Sequence, residues 1–222
     1  MTPEKKGKRS RKSMGWAVMR SAVTGLLEDK LRAFNEHFWD VERMYARSKK
    51  KLEKAASEEQ LDGSPDGALE FYGEMISVID STFLRTFRSC MLVSLYSVVE
   101  NSLRHLCGHL RKKTKAQISL NEINGQGIWR AKVYLEKVCG LKLPAKGWSD
   151  VIKLNRIRNC VVHAEGSIKA CDNPTKLKNI IEHDPALSID HFGNMQIMPE
   201  YIEKTLKDIE VFLMAIYSEA FD

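Results

Sequence analysis

Residues 199–220, PEYIEKTLKDIEVFLMAIYSEA, decide the fold class. Ile202, Leu206, Ile209, Leu213, Ile216 and Ala220 recur at alternating steps of four and three. A rhythm of about 3.5 residues puts them on one narrow apolar seam of a helix, as in a bundle. Pro199 suits the first helical position, where its missing N–H costs nothing. Near the other end, Leu27, Leu31, Phe34, Phe38, Val41 and Tyr45 repeat the rhythm, with Leu52 one heptad further on. Two seams of matching period are expected to pack together.

Between these seams the chain reads as more helix. Asp62 to Gly67 (DGSPDG) is a breaker. A long segment from Ala68 to Lys113 follows, apolar on nearly every side between Phe83 and Val99, which predicts a helix in the middle of the structure. A shorter helix is expected over Gly127–Val138, stopped by Gly140. Another is expected from Trp148 to Glu165, capped by Ser149 or Asp150, with Gly166 past its end. Residues 167–198 are mixed. Leu187–Asp190 and Met195–Met198 flank Phe192-Gly193-Asn194 and can pair as a small hairpin. The expected architecture is all-α, a bundle of four to five helices with a small hairpin before the last one.

Composition narrows the class. The chain has 222 residues, 43% hydrophobic and 29% charged, with a net charge of +6. That fits one globular domain over residues 14–222. No run approaches the ~18 apolar residues of a membrane span, so no membrane partner is expected. Residues 1–13 carry Lys5, Lys6, Lys8, Arg9, Arg11 and Lys12 against Glu4, a net +5 of the +6. They read as a disordered basic tail, able to add attraction to phosphate or simply solvated. No apolar run follows, so no secretory signal is expected. Five cysteines, odd in number and without C-x-x-C, argue against a disulfide scaffold and for a reducing cytoplasm.

The chemistry concentrates in the helix before the mixed region. At about 100° per residue, Arg158 falls within the arc of Val151, Leu154, Ile157, Val161, Val162 and Ala164. Arg156, Asn159 and His163 fall on the polar side, with Asn159 and His163 one turn apart. A guanidinium among apolar neighbours is costly unless paired. A guanidinium, an amide and an imidazole within two turns can cleave RNA without a metal. The imidazole takes the proton of a 2′-OH, and the guanidinium neutralises the developing phosphorane charge. The plainer reading pairs Arg158 with a core carboxylate and leaves His163 as a surface residue.

Arg158-Asn159-Cys160-Val161-Val162-His163 resembles the R-x4-H signature of the HEPN superfamily. The preceding Val151–Ile157 and the earlier helix around Ser97–Arg104 are similar to that family's helices. The resemblance implies a helical bundle that dimerises, with two such segments lining one cleft, and a metal-independent endoribonuclease acting as a toxin or antiviral (abortive-infection) effector. It assigns catalysis to Arg158, Asn159 and His163, with RNA as substrate, no cofactor and no metal, and an antitoxin or regulatory partner. A subgroup silenced by nucleotide transfer carries Tyr two residues after the His, where this chain has Glu165. Glu100 and Arg156 are supporting candidates. Glu100 can pair with Arg158 and orient it, or with Arg104 one turn on. Arg111, Lys112 and Lys113 can contact RNA phosphates or complement the end of their helix. The rival function is a non-catalytic HEPN-like module that binds RNA or a protein partner.

Other patterns carry less. His105 and His109 have metal-ligand spacing without a third ligand, and read as polar surface. Trp129 and Trp148 read as core. No G-x-S-x-G, H-E-x-x-H or Walker loop is present.

Overall fold

The computed structural model describes residues 6–61 and 67–221, and it is all-α apart from one small hairpin. Helices α1 (Lys6–Leu61), α2 (Gly67–Val78), α3 (Arg85–Thr114), α4 (Gly127–Val133), α5 (Ala145–Ala164), α6 (Pro174–Glu182) and α7 (Pro199–Phe221) follow in order. Strands β1 (Leu187–Ile189) and β2 (Met195–Ile197) pair antiparallel between α6 and α7, with Ser188 opposite Gln196. Residues 6–13, expected as part of a disordered tail, are helical and continuous with α1; residues 1–5 of that tail lie outside the described residues. So do residues 62–66 of the breaker. No helix among the described residues is long and apolar enough to cross a membrane.

The long segment from Ala68 to Lys113 holds a π-helical turn, Ile79–Leu84, between α2 and α3. The segment is also less enclosed than its composition suggests. Phe83 is 48% exposed, and Thr82, Thr86, Cys90, Ser94 and Ser97 form an exposed strip along it. α5 opens at Ala145, directly after Pro144, so Ser149 and Asp150 stand inside the helix and not at its cap. Asp150 instead pairs with Lys153 at 3.0 Å. α6 is too short to show a helical period in the sequence. Its start is nonetheless built from standard parts: the Asn173 side chain accepts from Lys176 N at 3.3 Å and Pro174 opens the helix.

Where the sequence reads one domain, backbone contacts group the chain into two compact units. The first comprises residues up to 32, 95–154 and from 205 onward. Tyr134, Leu135, Leu154 and Phe212 are among its buried side chains. Trp148 packs edge-on to Trp129 at 5.5 Å and near Phe212 at 6.3 Å, and Lys132 Nζ sits 4.9 Å over its ring. Gly147 is required there, because a Cβ would stand 2.5 Å from Phe212 Cδ2.

The second unit comprises residues 33–94 and 155–204 and carries the candidate site. Its centre is pinned by an ion pair. Arg88 Nε and Nη2 donate to both carboxylate oxygens of Glu42 at 2.7 and 2.8 Å, and Arg88 Nη1 donates to Ile197 O at 3.3 Å. Glu42 is 9% exposed, so a bidentate guanidinium is what makes its burial tolerable. Phe38 stacks on Phe87 beside the pair.

Candidate functional site

α5 ends in a wide turn that shapes the site. Glu165 takes φ +51° and Gly166 φ +83°, and Gly166 N–H returns to Cys160 O at 3.1 Å. Ser167 N–H then donates to Ala164 O at 2.8 Å. The turn is tied to the hairpin by Met195 N–H to Gly166 O at 2.8 Å and Ile168 N–H to Gly193 O at 3.1 Å. Arg85 adds a bond from Nη2 to Glu165 O at 3.3 Å. The chain reversal lays residues 170–173 back along the last two turns of α5.

A pocket of ≈110 Å3 opens between these segments. Arg156, Asn159 and His163 form its α5 wall, as their shared helical face predicts, and Cys171, Asp172 and Asn173 face them. His163 is exposed, whereas Arg156 and Asn159 are half-buried. Arg158 is not part of the lining. It is half-buried, as its place in the apolar arc predicts, and its Nη1 donates to Asn159 Oδ1 at 2.9 Å.

On another face of α5, a groove of ≈640 Å3 runs beside Val161 and Glu165. Thr82, Arg85, Thr86 and Ser89 line its other side. It presents hydroxyls, the Arg85 guanidinium, the Cys90 thiol and one acidic residue, Glu165. The groove is not legible in sequence, because its Ser and Thr positions are interleaved with an almost continuous apolar run.

The remaining candidates sit elsewhere. Glu100 belongs to the first unit, where its Oε1 and the Tyr96 hydroxyl stand against Gly127 at the start of α4. Arg104, its alternative partner, donates to Asn101 Oδ1 at 2.5 Å. Two of the three basic residues proposed for RNA hold backbone. Arg111 donates to Ala116 O at 3.4 Å and Gln117 O at 3.3 Å, and Lys113 Nζ donates to Ala220 O at 2.9 Å. Lys112 is exposed. Among the described residues no three of His, Cys, Asp and Glu converge as metal ligands.

The cysteines depart from expectation. Cys160 on α5 and Cys171 on the returning segment are disulfide-bonded, with Cα atoms 5.4 Å apart. Both line the pocket. A separation of 11 residues gives no hint of this; the turn at Gly166 creates it. Of the others, Cys90 is exposed and Cys107 is buried. Burial, and then the neighbouring Cys139, push the Cys107 thiol up to about 12, which makes it inert as a nucleophile.

No protein-family model matches the chain, and neither a curated protein nor a solved structure matches it.

Proposed function

We propose that the chain is a metal-independent endoribonuclease of HEPN type, working as a homodimer. The observation that carries this reading is the convergence of Arg156, Asn159 and His163 on one pocket wall, with Asn159 held by Arg158. His163 takes the proton of a 2′-OH. The freed O2′ attacks phosphorus, and the bond from phosphorus to the 5′ oxygen breaks. The departing oxygen is protonated, leaving a 2′,3′-cyclic phosphate and a 5′-OH. Arg156 on the pocket wall supplies positive charge for the non-bridging oxygens, and Arg158, outside the lining, adds its charge from behind the Asn159 that it holds.

One helix offers one imidazole, whereas the reaction needs a base and an acid. A second copy across a two-fold axis supplies the second group, and a closed two-fold is the commonest homo-oligomer. Exposed His163 and its exposed apolar neighbour Val162 suit such a contact. The groove bearing Arg85, Thr82 and Thr86 offers donors to phosphates further along a strand. The family resemblance supports a role as a growth-arresting or antiviral effector under a regulatory partner.

The test is incubation of the purified chain with mixed cellular RNA in EDTA, followed by end-group analysis. Cleavage with cyclic-phosphate and 5′-OH ends is expected. Intact RNA, or 5′-phosphate ends, overturns the reading.

A further inference from the structure

We propose that Cys160 and Cys171 are a reversible thiol-modification site, and that the disulfide between them closes the Asn159–His163 pocket. The chemical partners are a peroxide as oxidant and a low-molecular-weight thiol as reductant. The bearing on RNA cleavage rests on the function proposed above, whereas the switch itself does not.

The two sulfurs are placed for both redox states. In the disulfide they join α5 to the returning segment. Ser167 O lies 3.7 Å from Cys160 Sγ and 3.2 Å from Cys171 Sγ, so each thiol of the reduced pair has an acceptor. Accessibility is unequal: Cys160 is 2% exposed and Cys171 is half-buried. The order of steps follows. Peroxide oxidises the Cys171 thiol to a sulfenic acid and is itself reduced to water. The Cys160 sulfur then attacks the Cys171 sulfur, and the sulfenic oxygen leaves with the Cys160 proton as a second water. A small thiol reverses this by attacking the more accessible Cys171 sulfur. A mixed disulfide forms, Cys160 leaves as the thiol, and a second small thiol releases Cys171.

The disulfide matters because little else holds this stretch. Residues 166–168 are bonded to the hairpin, but beyond them the backbone bonds are local and long. Ala170 N–H to Ser167 O is 3.3 Å and Cys171 N–H to Ile168 O is 3.4 Å. Lys169, Ala170, Asp172 and Asn173 are exposed. Closing a ring of this length disfavours the open form by about 100-fold on chain entropy.

Volume sets the direction. The closed pocket measures ≈110 Å3. Sites that enclose an organic ligand run to roughly 300–1,000 Å3. In the oxidised chain the pocket is a small opening beside exposed His163, below the size of a site that encloses a nucleotide. The reduced chain is therefore the form that admits RNA, and the disulfide is the off state. A chain that is active in a reducing compartment would fall silent under peroxide.

The experiment uses the full chain, treated with hydrogen peroxide and then with dithiothreitol, beside Cys171→Ser. Trypsin cuts after Arg158 and Lys169, so the disulfide joins peptides 159–169 and 170–176. The linked pair should appear with peroxide and vanish with dithiothreitol. Amide exchange at Ala170 and Cys171 should accelerate about 100-fold on reduction. Cleavage of RNA by the wild type should fall at least tenfold on oxidation and recover, while Cys171→Ser should show no change with peroxide. Failure of the link to form, or links dominated by Cys90, overturns the proposal. So does equal inhibition of Cys171→Ser. If link and exchange respond reversibly while reduced and oxidised chains both leave RNA intact, the switch stands and the nuclease reading falls.

Discussion

Arg158 Nη1 donates to Asn159 Oδ1 at 2.9 Å, so two neighbouring residues on one helix act as a unit. A guanidinium can only donate, so the amide oxygen must face it and the Asn159 NH2 is turned away. The contact satisfies one nitrogen of an arginine placed in an apolar arc, and it gives the pocket a fixed amide. Arg158→Ala should therefore lower RNA cleavage at least 100-fold and cost about 1–3 kcal/mol of stability. Arg158→Lys, which keeps the charge without the planar fork, should recover stability better than activity. Cleavage rates and denaturant midpoints measured on both variants check this.

The assembly is open to a direct check. Light scattering at micromolar concentration should show a dimer, strengthened by sulfate or RNA, since cationic side chains meeting at a two-fold repel one another until an anion enters. Mixing His163→Ala with Arg158→Ala chains should restore part of the activity that each lacks. A chain that is monomeric with and without RNA, yet fully active, contradicts the composite site.

Gly147 tests the packing of α5 in the first unit. Alanine there gains about 1 kcal/mol of helix propensity. Its Cβ would meet Phe212 Cδ2 at 2.5 Å and Cβ at 3.0 Å, and Phe212 is buried. Overpacking of this kind costs typically about 1–3 kcal/mol. Gly147→Ala should thus be net destabilising, by roughly 1 kcal/mol. Urea denaturation followed by circular dichroism measures it.

Asp190 sets the acid limit of the hairpin. Burial acts to raise its pKa, but bonds from Asn194 N, Phe192 N and the Gln196 side chain together hold it below the usual carboxylate value. A depressed folded pKa gives stability that is present above the unfolded value of about 3.9 and lost as pH falls through the folded value. Amide exchange of Phe192 and Asn194 should accelerate below about pH 4 relative to Asp190→Ser. In that variant both amides should already exchange fast at neutral pH.

Much of this fold is legible in the residues. The seam from Ile202 to Ala220 and the Pro199 start place α7 where it is found, and Phe192-Gly193-Asn194 sits between the two strands. The polar face of α5 gathers Arg156, Asn159 and His163, because helical phase is a local property. What was not legible depends on chain reversal or on short-range detail. Asn173-Pro174 carries a cap and a first-turn proline, yet α6 has only 9 residues, too few to show a period. Cys171 meets Cys160 because the chain turns at Gly166. Of the residues expected to contact phosphate or complement the end of their helix, Arg111 bonds the local carbonyls just past that end, whereas Lys113 finds Ala220 O, a partner that only tertiary structure supplies.

His163 carries the central claim, and its exposure separates chemistry from folding. Surface substitutions of this kind change stability by about 0.5 kcal/mol or less, whereas loss of a general base or acid costs roughly 100- to 10,000-fold in rate. The decisive measurement is single-turnover cleavage of one RNA in EDTA by reduced wild type and by His163→Ala with matched melting temperature. Cleavage by the wild type to a 2′,3′-cyclic phosphate, and a loss of at least 100-fold in the variant, is the expected result. Equal rates for the two chains would contradict the account.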